Sequence, residues 1–96
     1  MGLIMQFARR LRNDIRSGEI TCTIRIWQRP RVKVGGTYKL EGGAVVVESI
    51  EQISLADITP ELAQESGFAD VEDLLATAKH GSGDNVYLIR FHFQPL

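Results

Sequence analysis

The sequence predicts a small α+β domain whose strands curl into a partly closed β-barrel, with an N-terminal helix and two helices before the last strand. Two segments, residues 17–27 and 85–93, have the period-two alternation that is typical of strands. A third segment, residues 37–53, has the central glycines and the β-branched residues of a hairpin. Antiparallel strands of this number in so short a chain favour a curled sheet plugged by helices.

Length and composition indicate one domain, residues 1–96. A chain of 96 residues with 44% hydrophobic and 24% charged residues can bury one hydrophobic core and needs no disulfides or metal ions for stability. The lone cysteine, Cys22, excludes an internal disulfide and is expected to be a buried, reduced thiol, which suits the cytosol. No apolar run approaches the roughly 20 residues of a membrane span, and the first residues lack signal-peptide features, so we expect a cytoplasmic protein.

Charge is distributed unevenly along the chain, although the formal net charge is only −1. Nine basic residues accompany two acidic residues up to Leu40, whereas two basic residues accompany ten acidic residues from Glu41 onward. The basic first half indicates either an anionic partner or mutual neutralisation of the two halves in the fold.

The first helix is predicted over residues 6–17, where apolar side chains recur at three- and four-residue spacing. Gly18 follows as a natural left-handed helix cap. The other faces of this helix carry Arg9, Arg10, Arg12 and Arg16. These arginines indicate either a basic solvated face or a phosphate-binding one.

The strand predicted over residues 17–27 carries the polar row on which the functional hypothesis depends. Its alternation directs Ile20, Cys22, Ile24 and Ile26 to a core, and it directs Thr21, Thr23, Arg25 and Trp27 to the other face. The following loop, residues 28–36, is broken by a proline and two glycines. We expect its basic residues to form a rim beside the strand; they are Arg29, Arg31 and Lys33.

The hairpin is predicted to join residues 37–40 to residues 44–53 through a turn at residues 41–43. The consecutive valines at 45–47 predict a strand buried on both faces. Thr59, followed by a proline, is typical of a helix start, and Gly67 is the expected stop.

A further helix is predicted from Asp70, which can act as its N-cap, to residues 79–81, with a loop at residues 81–84. The last strand, residues 85–93, alternates two sets of side chains. One face carries Tyr87, Ile89, Phe91 and Phe93, and the other carries Val86, Leu88, Arg90 and His92. The aromatic face is expected to belong to the core rather than to a base-stacking surface.

The sequence favours neither a metal site nor a bound cofactor. Cys22, His80 and His92 lack the paired spacings of zinc ligands. No Gly-x-Ser-x-Gly nucleophile motif occurs, and neither glycine pair has the lysine of a phosphate-binding loop.

The polar row remains as the candidate site. Hydroxyls at Thr21 and Thr23, the Arg25 fork, the basic rim and carboxylates at Glu61 and Glu65 would together match the edge of a nucleobase. Alternatively, Arg25 pairs with Glu65 or Glu61 and merely joins a helix to the barrel.

In these residues the chain resembles the ASCH domain, a branch of the PUA-like β-barrel superfamily. The resemblance covers nearly the whole chain and consists of six short motifs in a fixed order. They are Ile15-Arg16-Ser17-Gly18, Thr21-x-Thr23-Ile24-Arg25, Lys33-x-Gly35, Asp57-Ile58-Thr59-x-Glu61-x-Ala63, Gly67-Phe68-Ala69-Asp70-Val71-Glu72-Asp73-Leu74 and Val86-Tyr87-x-Ile89-x-Phe91.

The resemblance implies a small barrel with a basic cleft that binds RNA or nucleosides. Some small bacterial members deacylate N4-acetylcytidine, using a lysine, a threonine and a glutamate. Here Thr23 matches the threonine, Ile20 stands in place of the lysine, and Ser66 or its neighbour Glu65 stands at the glutamate. Because isoleucine cannot act as a base, the sequence favours binding over catalysis.

Three functional hypotheses follow from the sequence. The first is an RNA- or nucleoside-binding module that uses Thr21, Thr23, Arg25, Arg29, Arg31 and Lys33. The second is an amidohydrolase acting on N4-acylated cytidine, with Thr23 and Glu65 as its catalytic residues. The third is a protein-interaction domain that uses the acidic second half.

Overall fold

A computed structural model describes residues 6–78 and 83–96 and shows an α+β fold. The elements in chain order are α1 (Arg9–Ser17), β1 (Cys22–Trp27), β2 (Thr37–Leu40), β3 (Gly43–Ile53), a short 3-10 helix (Leu55–Asp57), α2 (Pro60–Glu65), α3 (Val71–Ala78) and β4 (Asn85–Pro95). The prediction of one helix before the first strand and two helices before the last strand is therefore confirmed.

The four strands form one antiparallel sheet in the order β1-β4-β3-β2. The two longest strands, β3 and β4, pair along their length, with an irregularity between Val47 and Ser49. The sheet curls into a half-barrel, and β1 and β2 lie at its opposite edges without pairing with each other. The prediction of an α+β fold with a curled antiparallel sheet is therefore confirmed.

The core lies where the helices pack against the sheet. Ile15 of α1 and Leu74 of α3 are fully buried, as are Ile89 and Phe91 of β4. The ring of Phe91 also packs against Phe7, with 5.5 Å between ring centroids. Burial of these large apolar side chains supplies most of the free energy that holds the helices on the sheet.

The first helix and the first strand are shorter than the sequence pattern suggests. Ala8 is the N-cap of α1 and has non-helical dihedral angles, so the helix starts at Arg9 rather than at residue 6. Gly18 takes the predicted left-handed conformation, with φ of 87°, and the next residues bend away before β1 begins at Cys22. The apolar side chains of the helix continue into the residues that precede it, so the periodicity of apolar residues alone does not show where the helix begins.

The predicted caps of the later helices are present. The Thr59 hydroxyl accepts a hydrogen bond of 3.0 Å from the amide of Leu62, and the Asp70 carboxylate accepts one of 2.8 Å from the amide of Asp73. The 3-10 helix, which the sequence analysis did not anticipate, is held by a capping box between Ser54 and Asp57. The predicted helix end at residues 79–81 and the start of the loop at residues 81–82 lie outside the described residues.

Two side chains depart from their predicted burial. Trp27 was assigned to the polar face of its strand but is buried, with its ring 6.3 Å from that of Tyr87. Val46 is half-buried, so β3 is not enclosed on both faces at this point. β4 also extends two residues beyond the predicted end, to Pro95.

Candidate functional site

A cavity of about 360 Å³ lies between the start of α1, the strand β1 and the end of α3. This volume is at the lower end of the range of small-molecule sites, roughly 300 to 1,000 Å³. Residues from four segments contribute to its wall, among them Phe7, Leu11, Arg12, Thr23, Arg25 and Phe68. The cavity therefore combines two aromatic residues and two arginines with two threonines, Thr23 and Thr77.

Thr23 and Arg25 face this cavity together, because the period of two along β1 puts them on one side of the strand. The Arg25 Nε donates a hydrogen bond of 3.1 Å to the Thr23 hydroxyl. A terminal nitrogen of Arg25 donates a hydrogen bond of 2.6 Å to the main-chain carbonyl of Gln6. The guanidinium carbon lies 5.0 Å from the centroid of the Phe7 ring, within the range of a cation–π contact.

The Arg25 guanidinium is half-buried, and its hydrogen-bond partners are neutral. Burial lowers the pKa of Arg25 to about 10, so the side chain still carries its charge at neutral pH. Within residues 6–78 and 83–96, no carboxylate lies at salt-bridge distance from Arg25. The alternative in which Arg25 pairs with Glu61 or Glu65 is thus not formed, and a partly desolvated cation faces the cavity.

Arg12 is the second arginine of the cavity; the sequence analysis named it only as one of four arginines on the helix and did not place it beside Thr23 and Arg25. Its Nε donates a hydrogen bond of 3.1 Å to the main-chain carbonyl of Phe7, which leaves its terminal nitrogens for other partners. The position of Arg12 in the helical pattern could have indicated this role. Position 12 is four residues after Ala8 and adjoins the apolar stripe of α1, and both Ala8 and Arg12 line the cavity.

Phe7 and Phe68 were also missed as cavity residues. Both rings are buried, and both line the cavity although 61 positions separate them in the sequence. Arg10 holds the Phe68 side of the cavity in place, since its guanidinium lies 5.3 Å from the Phe68 ring centroid and bonds the carbonyl of Gly67. Arg10 also lies 3.6 Å from the carboxylate of Asp73, so its role is structural.

The other predicted ligand-binding residues are placed elsewhere. Thr21 is exposed, precedes β1 and does not line the cavity; its carbonyl accepts a hydrogen bond from the amide of Phe91. The loop residues Arg29, Arg31 and Lys33 are exposed, and they also do not line the cavity. The positive charge at the cavity comes from α1 and β1 instead.

The predicted catalytic partners of Thr23 are not brought to its side. Glu65 is exposed on α2 and does not line the cavity. Ser66 is only 2% exposed, and its hydroxyl donates to the carbonyls of Leu62 and Ala63. Ile20 is buried in the core. Of the predicted catalytic residues, only Thr23 lies at the cavity.

Cys22 is buried on the other side of β1 from Thr23, as the sequence predicts. Burial raises the pKa of its thiol, the charge of Glu65 raises it further, and the nearby Arg90 opposes both effects. Because the thiolate is the reactive form, we expect iodoacetamide at pH 8 to alkylate Cys22 at least about tenfold more slowly in the native protein than in denaturant. Mass spectrometry of timed samples measures both rates, and equal rates would contradict a buried thiol.

The described residues contain no group of three or more His, Cys, Asp or Glu side chains arranged to hold a metal ion. No helix in the same parts of the chain is both long enough and apolar enough to cross a membrane. Comparison with known proteins finds no family model, no curated protein and no solved structure that matches the chain.

Proposed function

We propose that the protein is a nucleoside- or RNA-binding module of the ASCH type, with a PUA-like fold, and that an unstacked base occupies the cavity beside Thr23 and Arg25. The observation that carries the proposal is the state of Arg25. Its guanidinium is half-buried, faces the cavity, and has no carboxylate partner among the described residues. A buried charge without an ionic partner is costly, and an acceptor-rich ligand would compensate it.

The surroundings of Arg25 suit a planar heterocycle. Phe7 and Phe68 are buried, and each has a guanidinium over its ring, so they contribute apolar wall rather than an open stacking face. The Arg25 fork offers donors to the carbonyl and ring-nitrogen acceptors of a base. The Thr23 hydroxyl already accepts from Arg25, so it can donate its own proton to a ligand. The arrangement thus supplies donors mainly, which favours a base edge rich in acceptors.

Binding is favoured over hydrolysis by the chemistry of the cavity wall. Deacylation requires a base or an activated nucleophile, usually a histidine, a carboxylate or a lysine of lowered pKa. None of the described residues that line the cavity is of these types, and Arg25 stays protonated at neutral pH. Thr23 therefore lacks an activating group within the described parts of the chain.

The proposal is tested by titrating fluorescently labelled single-stranded RNA of about ten nucleotides with the protein at several salt concentrations. We expect saturable binding at low salt that weakens as salt rises, with a logarithmic slope of about −0.7 for each phosphate neutralised. Fluorescence anisotropy gives the dissociation constant at each concentration. Thr23→Val, which keeps the side-chain volume, should weaken binding because it removes the hydroxyl.

Two outcomes would point to the other hypotheses. Release of cytidine from N4-acetylcytidine by the pure protein, abolished in Thr23→Ala, would support the amidohydrolase. Failure to bind both RNA at low salt and free nucleosides would reject the binding module, and cross-linking in lysate would then show whether the acidic half captures a protein instead.

A further inference from the structure

A second cavity of about 370 Å³ lies on the exposed side of α1. Five residues line it, namely Arg9, Arg12, Asn13, Arg16 and Glu41. Arg12 lines this cavity and also the one beside Arg25, so the two cavities adjoin at this residue. We call the second one the α1 basic cavity.

The α1 basic cavity carries an excess of positive charge. Three guanidinium groups face one carboxylate, that of Glu41, which lies 3.3 Å from Arg16 and is 81% exposed. Arg9 is exposed and, within the described residues, has no ion pair, and neither has Arg12. Arg16 also bonds the side chain of Asn13, which fixes its position at the edge of the cavity.

The helix aligns these arginines on one face. Positions 9, 12 and 16 are three and four residues apart, so their side chains are neighbours along α1. At 1.5 Å per residue the row extends over about 10 Å, which is sufficient for one or two anionic groups. Its middle member, Arg12, also lines the cavity that contains Thr23 and Arg25.

We propose that the α1 basic cavity binds a phosphate group of the same ligand, so that the protein prefers a nucleotide or an RNA strand to a free nucleoside. The inference rests on the proposed function, because the base would occupy the cavity beside Arg25. Arginine forks bind phosphate oxygens through paired, charge-assisted hydrogen bonds, and Arg9 and Arg12 have donors to offer. The arginines of α1, rather than those of the loop at residues 28–36, would then contact the phosphates.

The test compares the four ribonucleosides with their 5′- and 3′-monophosphates in calorimetric titrations of the whole protein. We expect at least one monophosphate to bind about tenfold or more tightly than its own nucleoside, since one charge-assisted contact contributes roughly 1.5 kcal/mol or more. In the double variant Arg9→Gln/Arg16→Gln the ratio of the two affinities should fall close to one. Both side chains reach solvent, so the variant is expected to fold, and its melting temperature checks this.

The matched control is the double variant Lys39→Gln/Arg90→Gln, which removes the same charge from exposed positions that line neither cavity. It should retain the preference for the monophosphate. An equal loss in this control would show a general charge effect and overturn the assignment to α1. If nucleosides bind but phosphate adds nothing, the inference fails while the proposed function stands; if no probe binds, both fail.

Discussion

Replacing Arg25 by methionine is expected to weaken the proposed binding of single-stranded RNA by about 10- to 100-fold, the loss that follows from removing hydrogen bonds to a charged group. Methionine keeps an unbranched apolar side chain at this position but removes the guanidinium that lies over the Phe7 ring, and with it every donor of the fork. Fluorescence anisotropy with the labelled RNA measures the change.

The same substitution is expected to alter the free energy of unfolding by less than about 1 kcal/mol. Exchange of a partly buried charge for an apolar side chain of similar length is often neutral for stability, since it also removes the cost of burying the charge. Two acceptors lose a donor. The carbonyl of Gln6 belongs to an exposed residue, and the Thr23 hydroxyl lines the cavity, so both can bond water instead. Urea denaturation of both proteins measures this difference.

Two comparisons make the Arg25 result decisive. Arg25→Lys keeps the charge but loses the planar fork, so it should restore only part of the affinity. Arg90→Met makes the same chemical change at an exposed position of β4 and should leave the affinity nearly unchanged. A stability loss of several kcal/mol with intact RNA binding would mean that Arg25 serves only to hold residue 6 against β1.

Replacing Phe91 by alanine is expected to lower the free energy of unfolding by about 3 to 5 kcal/mol. Phe91 is 1% exposed in the middle of β4, where its truncation would leave a cavity between the sheet and α1. Domains of this size have roughly 5 to 15 kcal/mol in total, so much of the protein would be close to unfolding at 37 °C. Urea denaturation followed by circular dichroism gives the value.

The neighbouring Phe93 provides the control for this substitution. It points to the same side of β4 as Phe91 but is only half-buried, near the end of the strand. Phe93→Ala should therefore cost less than half as much as Phe91→Ala. Equal costs for the two variants would contradict the position of the core, and they would also weaken the view that Phe91 supports the wall of the cavity through Phe7.

Much of this fold could be predicted from short stretches of sequence, because helix caps and strand alternation depend on residues that are close together in the chain. Gly18 ends α1 through its own left-handed backbone, and Thr59 and Asp70 accept hydrogen bonds from amides three residues away. The alternation along β1 likewise placed Thr23 and Arg25 on one side of the strand, where both line the cavity.

The rest of the site depends on packing between distant segments, which no local pattern encodes. Phe68 reaches the cavity only because the chain after α2 packs against α1, and Arg12 becomes a wall residue only once α1 is docked. Thr21 precedes the first residue of β1 and does not line the cavity, and periodicity alone does not reveal where the strand begins. The path of a loop is likewise not determined by the spacing of its residues in the sequence. The loop that contains Arg31 was predicted to form a rim, but Arg31 does not line the cavity.

The position of β1 in the sheet has a kinetic consequence for any ligand. β1 is an edge strand that pairs with β4 alone, over six residue pairs, whereas β4 also pairs with β3 along most of its length. Edge segments can open locally at a lower free energy than the whole domain needs to unfold. Since Thr23 and Arg25 both lie on this strand, local opening of β1 would disrupt the cavity and would give the proposed ligand a second route of release.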